Sequence, residues 1–542
     1  MFDFTFSELA KRSDQNPAPW RRPLIKWLNG VESGWAIPLM LLCFVTIWTA
    51  YLVVAYIGSD LHPDVLETWT LGRRFEWGNP KHPPLMGWVA RAWTTVFPVS
   101  DWTMQLMAMV NAAVGLWAVD LISRQFVTGH KRVLVLLLLM LTPAYQFHAQ
   151  RFNANNVLLS LWPWATYCFL RSVQTRTVIW AAAAGFTAAL AMLGKYYSIF
   201  LVAAFCIAAI ANSSRRAYFS SAAPYVSIAA GSLALAPHVY WLANNGAATF
   251  DHAMTHTGFD LVTVLFDVLN FLAGLAAALS VAAITWLMIA GRRLDRVAGD
   301  FKAADPGLKL LLSVLVATIV LPILTSLTLR TDLPSLWALP GIFPLAVLVV
   351  CTTSYPIEQF YTVNATVLAA GIAVVATTVA APIHAVYRNH YGYEEGRNFY
   401  RQAALELTRQ WHEVGDGPLP RVSGDDSLAF AAAFYSPDHP FYSRPFAYQY
   451  TWKVPRKTTI ERGWAALCFA DQIDCLDWMA VAGARSEYSV RHEFTVQANL
   501  LGIPGISRSV VSLIVPAREP SRVDAPDCGD APNADIARLG KT

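Results

Sequence analysis

Apolar residues in this chain gather in long runs that repeat up to about Tyr387 and then stop. Eleven runs stand out: Trp35–Gly58, Trp102–Leu121, Val133–Tyr145, Val157–Leu170, Val178–Leu193, Ser198–Ala211, Ala222–Leu242, Val264–Ile289, Leu310–Leu327, Leu336–Cys351 and Ala365–Val386. A helix that crosses a bilayer needs about 20 mostly apolar residues, so the runs predict a polytopic bundle of about eleven spans. Beyond them the pattern is that of a folded domain. GRNFYRQAALELTRQWHEV has helical apolar spacing, and LPRVSGDDSLAFAAAFYSPDHPFYS reads as strand, polar turn and helix. GWAALCFA and SVVSLIVPARE read as strands, and the tail SRVDAPDCGDAPNADIARLGKT as disordered. The expected organisation is an amphipathic N-terminus (1–34), a membrane domain (35–388) with a first outer loop at 59–101, a small α/β domain (389–520) and the tail (521–542). The expected fold class is therefore mainly α, a membrane helix bundle with a small C-terminal α/β domain.

Composition agrees. Of 542 residues 55% are hydrophobic and only 14% charged, with 20 Trp. Soluble domains carry about 25% charged residues, so this chain lacks the polar surface that several soluble domains would need. A net charge of +4 is too small for a nucleic-acid binder of this size. Lys11, Arg12, Arg21, Arg22 and Lys26 precede the first run, and Arg124, Lys131, Arg132, Arg171, Arg176, Arg215, Arg216, Arg292, Arg293, Arg296 and Lys302 recur in alternate loops. Cytoplasmic loops hold the excess of Lys and Arg, which places the N-terminus inside. An odd number of spans then puts the C-terminal domain outside. There Cys468 and Cys475 could pair in an oxidising compartment, whereas Cys43, Cys168, Cys206 and Cys351 sit within or beside apolar runs.

The first outer loop is long for a connection. Pro63 can open a helix with Asp64 and Glu67 on one face, Asn79-Pro80 breaks it, and His82-Pro83-Pro84 starts a second helix bearing Trp88, Trp93 and Phe97. Carboxylates beside an interfacial helix suit a lipid head group with a reaction next to it. The plainer reading is that Glu67 pairs with Arg73 or Arg74. Ionisable residues at the membrane boundary favour the functional one: Arg151, Lys195, His238 and Arg330 are costly there and point to function. Cations gathered with two carboxylates suit an anionic substrate and a general base.

The stretch Asp64, Trp69, Gly78 and His82-Pro83-Pro84-Leu85, spaced D-x4-W-x8-G-x3-HPPL, resembles the first periplasmic loop of bacterial membrane glycosyltransferases. These are relatives of the dolichyl-phosphate-mannose protein mannosyltransferases, the family 39 or PMT-like group, and include enzymes that add aminoarabinose or galacturonate to lipid A and core oligosaccharide. RFNANNVLLSLW, ALAMLGKYYSIFL, LAPHVYWLANNGAATFDHAMTH and LTLRTDLPSLWALPGIFPL are similar to later segments of the same group, in the same order. The resemblance implies a GT-C bundle with an outward cavity and a polyprenyl-phosphate-linked sugar as donor. It makes Asp64 the base that deprotonates the acceptor. Lys81 or His82, Lys195 and Arg330 become ligands of the donor phosphate, and Glu67, Arg151, Asn155 and His238 the rest of the substrate site. Val65 stands where many relatives carry a second acid, and Asn155 where the second loop often has one. The implied reaction is an inverting displacement that needs no metal in principle, although the Asp64/Glu67 pair could hold a divalent cation.

The resulting expectation is an inner-membrane glycosyltransferase acting on the periplasmic side, with a glycolipid or glycan acceptor, lipopolysaccharide core or lipid A favoured. Its partners are the lipid-linked donor, that acceptor and membrane lipids, with no nucleic acid. The alternatives are a lipid-linked sugar flippase, which the lack of a clear internal repeat disfavours, and a non-catalytic envelope assembly protein.

Overall fold

The computed structural model describes residues 10, 13–79, 81–245, 258–291, 296–415, 417–443 and 462–517. The expected tail, Cys528 and the TFDHAMTH part of one motif lie outside them. The main helices run α1 (Ala36–Ala55), α2 (Pro63–Gly72), α3 (Leu85–Thr94), α4 (Asp101–Ser123), α5 (His130–Met140), α6 (Leu158–Thr175), α7 (Val178–Gly194), α8 (Ile199–Ala211), α9 (Ala223–Asn245), α10 (Leu261–Ala290), α11 (Pro306–Leu329), α12 (Phe343–Cys351), α13 (Gln359–Val375) and α14 (Ala381–Tyr391). After them come α15 (Tyr400–Val414), β1 (Arg421–Gly424), α16 (Asp426–Tyr435), β2 (Phe441–Tyr442), β3 (Trp464–Phe469), α17 (Ile473–Ala484), β4 (Val490–Leu500) and β5 (Ile503–Val515). The protein is mainly helical, with several apolar spans and a small C-terminal sheet.

Each of the eleven apolar runs forms helix, but they are not equal. Among the described residues, six helices are long and apolar enough to cross a membrane: α1, α4, α9, α10, α11 and the helix that carries α13 and α14 across Gln359–Tyr391. A seventh counts if the pair His130–Met140 and Pro143–Gln150, bent by 79°, is one span. Pro143 explains the bend, since it has no N–H for the helical ladder and its ring crowds the preceding turn. The run at Leu336–Cys351 shortens for the same reason: Pro340 and Pro344 leave two 3-10 turns and then only the nine residues of α12. Inside Gln359–Tyr391 a π turn at Ala376–Ala380 precedes Pro382, the wider winding accommodating the missing donor.

The chain divides into two compact units. The first comprises Met1–Ala50, Glu76–Met86 and Gln105–Ala376. Its centre is α5, buried from Arg132 through Met140 and packed by α12 and α13. At one end of α5 the Arg132 guanidinium grips Asp120 bidentately, Nε to Oδ1 at 2.9 Å and Nη2 to Oδ2 at 2.7 Å. Such a fork satisfies both carboxylate oxygens where water is excluded. Helix α7 packs against α6 and α9. At its crossing with α9, Gly185 lies so close to the Ser227 carbonyl that a Cβ would overlap it, and Gly231 faces Gly185 in turn. Small residues permit this approach of two backbones, which is how apolar helices gain dispersion contact in lipid.

The second unit comprises Tyr51–Phe75, Gly87–Met104 and Thr377–Thr542, so both helices of the first outer loop belong with the C-terminal domain. Its five-stranded sheet has the order β2-β1-β3-β5-β4. β1 is parallel to β2 and β3, while β5 is antiparallel to β3 and β4. α17 covers the sheet through Cys475, Trp478 and Met479, which pack on Ala466, Cys468, Val511 and Leu513. A disulfide joins Cys468 to Cys475. α16 packs on α15 and on α2, where Trp69 meets the Phe434 ring edge-on at 5.1 Å.

Candidate functional site

In the first unit, the break between α7 and α8 sets a cation in place. Gly194 ends α7, Lys195 takes an extended conformation (φ −160°), and a 3-10 turn at Tyr196–Ser198 leads into α8. Buried hydrogen bonds fix this break: Trp162 Nε1 donates to Ser198 Oγ at 3.0 Å, and Ser198 Oγ donates to the Ala191 carbonyl at 2.8 Å. Lys195 Nζ donates to Asn155 Oδ1 at 2.5 Å and lies 4.1 Å from the centre of the Trp337 ring. Asn155 is itself held by an Asx turn, since Asn153 Oδ1 accepts from the backbone N–H of Asn155 and Asn156. Asn156 bonds the carbonyls of His148 and Ala149 and accepts from Asn111. A neutral amide and an aromatic face thus both contact the half-buried ammonium.

Next to Lys195, the Tyr196 hydroxyl meets His238 Nε2 at 2.8 Å, and His238 Nδ1 lies 2.7 Å from the Trp77 carbonyl. A carbonyl can only accept, so Nδ1 carries the proton and neutral His238 accepts from the tyrosine hydroxyl at Nε2. Trp77 opens the segment Glu76–Met86, in which Asn79 Oδ1 accepts from the N–H of Lys81 at 2.9 Å and of His82 at 3.5 Å. Lys195, Asn155, Tyr196, Trp337, His238 and Trp77 therefore form one connected set. Arg151 and Arg330 do not join it: both side chains are exposed and make no hydrogen bond or ion pair among the described residues. Arg330 instead ends α11 in the left-handed region (φ 54°), and its carbonyl accepts from Gly258 and Phe259.

In the second unit, His62 caps α2 by accepting from the Asp64 N–H at 3.2 Å. Asp64, in the first turn, is 44% exposed at its side chain, open enough to meet a substrate, whereas Glu67 is buried. Helix α2 ends at Gly72, earlier than the expected break at Asn79-Pro80. Gly72 there packs against the backbone of Gly87 in α3, an approach no side chain would permit. The expected pairing of Glu67 with Arg73 or Arg74 is not formed: Arg73 donates to the Pro440 carbonyl at 2.7 Å, and both guanidiniums lie on the Phe441 ring.

Sequence reasoning missed an ionic cluster around the buried Asp60 in the same unit. Arg401 donates its backbone N–H to Asp60 Oδ2 at 2.8 Å, and its guanidinium lies 3.4 Å from Asp60 Oδ1 and 2.7 Å from Asp101 Oδ2. Burial, then the neighbouring Asp101 charge, pushes the Asp60 carboxyl up to about 7 against the opposing pull of Arg401. The same guanidinium covers the Tyr435 ring at 4.2 Å, and the Tyr435 hydroxyl accepts from the Leu61 N–H at 2.9 Å. Asp425 accepts from Leu428 as the N-cap of α16. His412 meets Asp438 at 2.9 Å, and His439 bonds the Ala433 carbonyl. Among the described residues, no three His, Cys, Asp or Glu side chains gather as a metal-holding group.

Residues 81–241 match the sequence pattern of the family described as dolichyl-phosphate-mannose-protein mannosyltransferase. No curated protein matches the chain by sequence. The fold is similar to that of ArnT from Cupriavidus metallidurans in the apo state, at 13% identity and a TM-score of 0.55, over 89% of this chain and 98% of that one. The same figures hold for that protein bound to undecaprenyl phosphate.

Proposed function

We propose that this chain is a membrane glycosyltransferase of the PMT-like GT-C group, which moves a sugar from a polyprenyl phosphate to a glycolipid or glycan acceptor at the periplasmic face of a bacterial inner membrane. The observation that carries the donor half is the Lys195 cradle. A lysine held at a helix break by an amide and a ring places a point charge on a fixed element, which suits a phosphate. The undecaprenyl phosphate named for the ArnT structure supports the same lipid class.

In the proposed reaction the acceptor hydroxyl oxygen attacks the anomeric carbon as the bond from that carbon to the phosphate oxygen breaks. The electron pair leaves with the polyprenyl phosphate, whose charge grows, and Lys195 stabilises it. Asp64 takes the acceptor proton, and the sugar carbon inverts. Lys81, His82 and His238 complete the donor and acceptor contacts, together with Arg151 and Arg330, which are exposed and available to a ligand. Glu67 supports Asp64 from the buried side of α2. The Cys468–Cys475 disulfide supports an oxidising compartment for the C-terminal domain. A lipopolysaccharide acceptor is favoured by analogy with the bacterial branch of the group.

The direct test uses the purified full chain and undecaprenyl phosphate. Lys195→Gln should weaken binding about tenfold or more, the range of one charge-assisted contact. Unchanged binding, with the variant folded and monodisperse, would remove Lys195 from the donor site.

A further inference from the structure

The C-terminal unit holds a second concentration of positive charge that shares no residue with the proposed transfer site. A cleft there is lined by Thr70, Leu71, Arg73, Arg74, Arg421, Phe441 and Tyr442. Arg421, on β1, is only 8% exposed, yet among the described residues its guanidinium has neither a hydrogen bond nor an ion pair. Burying an uncompensated guanidinium is costly, so proteins place one where an anion meets it. Its neighbours increase that cost. Arg73 and Arg74 both sit on the Phe441 ring, at 4.3 and 4.4 Å, which fixes their guanidinium planes, and the Arg73 fork is anchored to the Pro440 carbonyl. Parallel pairing of β1 with β2 sets Arg421 directly beside Phe441. No carboxylate among the described residues pairs with any of the three.

Burial and charge crowding both act on Arg73 and Arg421. Burial and then Arg74 push Arg73 down to about 10, and burial followed by Arg74 and Arg462 lowers Arg421. Guanidinium groups are cations at neutral pH, so the cleft brings together Arg421 on β1 with Arg73 and Arg74 just beyond the end of α2, and Arg462 acts on Arg421 as well.

We propose that Arg73, Arg74 and Arg421 form an anion site that binds a phosphate ester. Guanidinium forks match the paired oxygens of a phosphate group, and two or more forks converging on one anion favour the dianionic monoester or a diphosphate over a singly charged diester. The phosphate could be carried by a lipid or be free in solution; the chemistry recognised is the same. The proposal stands apart from the assignment of Asp64 and Lys195.

The test measures calorimetric binding to the full-length protein in uncharged detergent at low salt, in a Lys195→Gln background so that the proposed donor cation does not contribute. The probes are inorganic pyrophosphate and dihexanoyl phosphatidic acid, with dihexanoyl phosphatidylcholine as the diester control. At least one of the first two should bind, at least tenfold tighter than the control. Arg421→Gln should weaken that binding about tenfold, equivalent to about 1.4 kcal/mol. Arg74→Gln, at an exposed side chain whose loss should leave the fold intact, should do the same. Arg491→Gln, on the exposed edge strand β4, should leave it unchanged. Binding of phosphatidic acid alone assigns a lipid-borne phosphate; binding of both shows that the phosphate group suffices. If neither probe binds, or if Arg74→Gln binds as the parent does, the proposal is overturned.

Discussion

Asp60 lies beside a second carboxylate, Asp101, with the single guanidinium of Arg401 bridging both. In the unfolded chain this carboxyl titrates near 3.8, whereas in the fold it titrates near 7. Between those values the folded protein holds a proton that the unfolded chain has lost. Stability attributable to Asp60 is therefore full below about pH 4, declines as pH rises toward 7 and is gone above it. Asp60→Asn, which cannot ionise but keeps an oxygen for the Arg401 N–H, should flatten this slope. Thermal unfolding of both proteins from pH 5 to pH 8 checks it, and parallel slopes would contradict it. Legibility differed sharply at this scale. Lys195 is a lysine between two apolar runs, and that cost was readable. Asp60 was not, because its partner is 341 residues away in sequence. Tyr196 and Trp337 carry no signal of their own in the sequence; only the fold brings them to His238 and Lys195. Arg151 and Arg330 shared the signal that marked Lys195, yet neither side chain makes a hydrogen bond or ion pair among the described residues; depth in a membrane flags a residue without saying what it touches.

Elements were more readable than contacts. Six of the eleven apolar runs became full-length spanning helices, since length and hydropathy alone decide that property. Two of the others are bent or shortened at prolines, Pro143 and Pro340 with Pro344, while α7 and α8 are short because the helix breaks at Lys195. In the C-terminal domain β1, α16, β3 and β5 follow the expected pattern, but β4 was passed over: its burial alternates only toward one end, as suits an edge strand with one face in water. Helix crossings depend on glycines whose importance shows only in three dimensions. Gly185→Ala should force α7 and α9 apart and destabilise the protein by about 1–3 kcal/mol, the usual cost of overpacking. Gly371→Ala, in α13 with open space around the new methyl, is the matched control and should be neutral or slightly stabilising. Equal melting temperatures for the two variants would show that the α7–α9 crossing tolerates a wider separation.

At the scale of the molecule, the chain holds a bundle of apolar helices and a small disulfide-linked sheet domain, similar in fold to ArnT, and the first-loop helices fold with the sheet domain. Composition announced the membrane part, while the allegiance of the loop was invisible because it rests on contacts such as Trp69 with Phe434. The central claim is sugar transfer with Asp64 as base. It is tested most directly by comparing, by mass spectrometry, the envelope glycolipids and glycans of cells carrying the wild-type protein, no protein, or Asp64→Asn at matched membrane levels. Loss of a positioned base typically slows transfer by about 10²–10⁴-fold. The account predicts that one sugar mass disappears alike in the deletion and the variant; full retention of that mass in Asp64→Asn cells would contradict it.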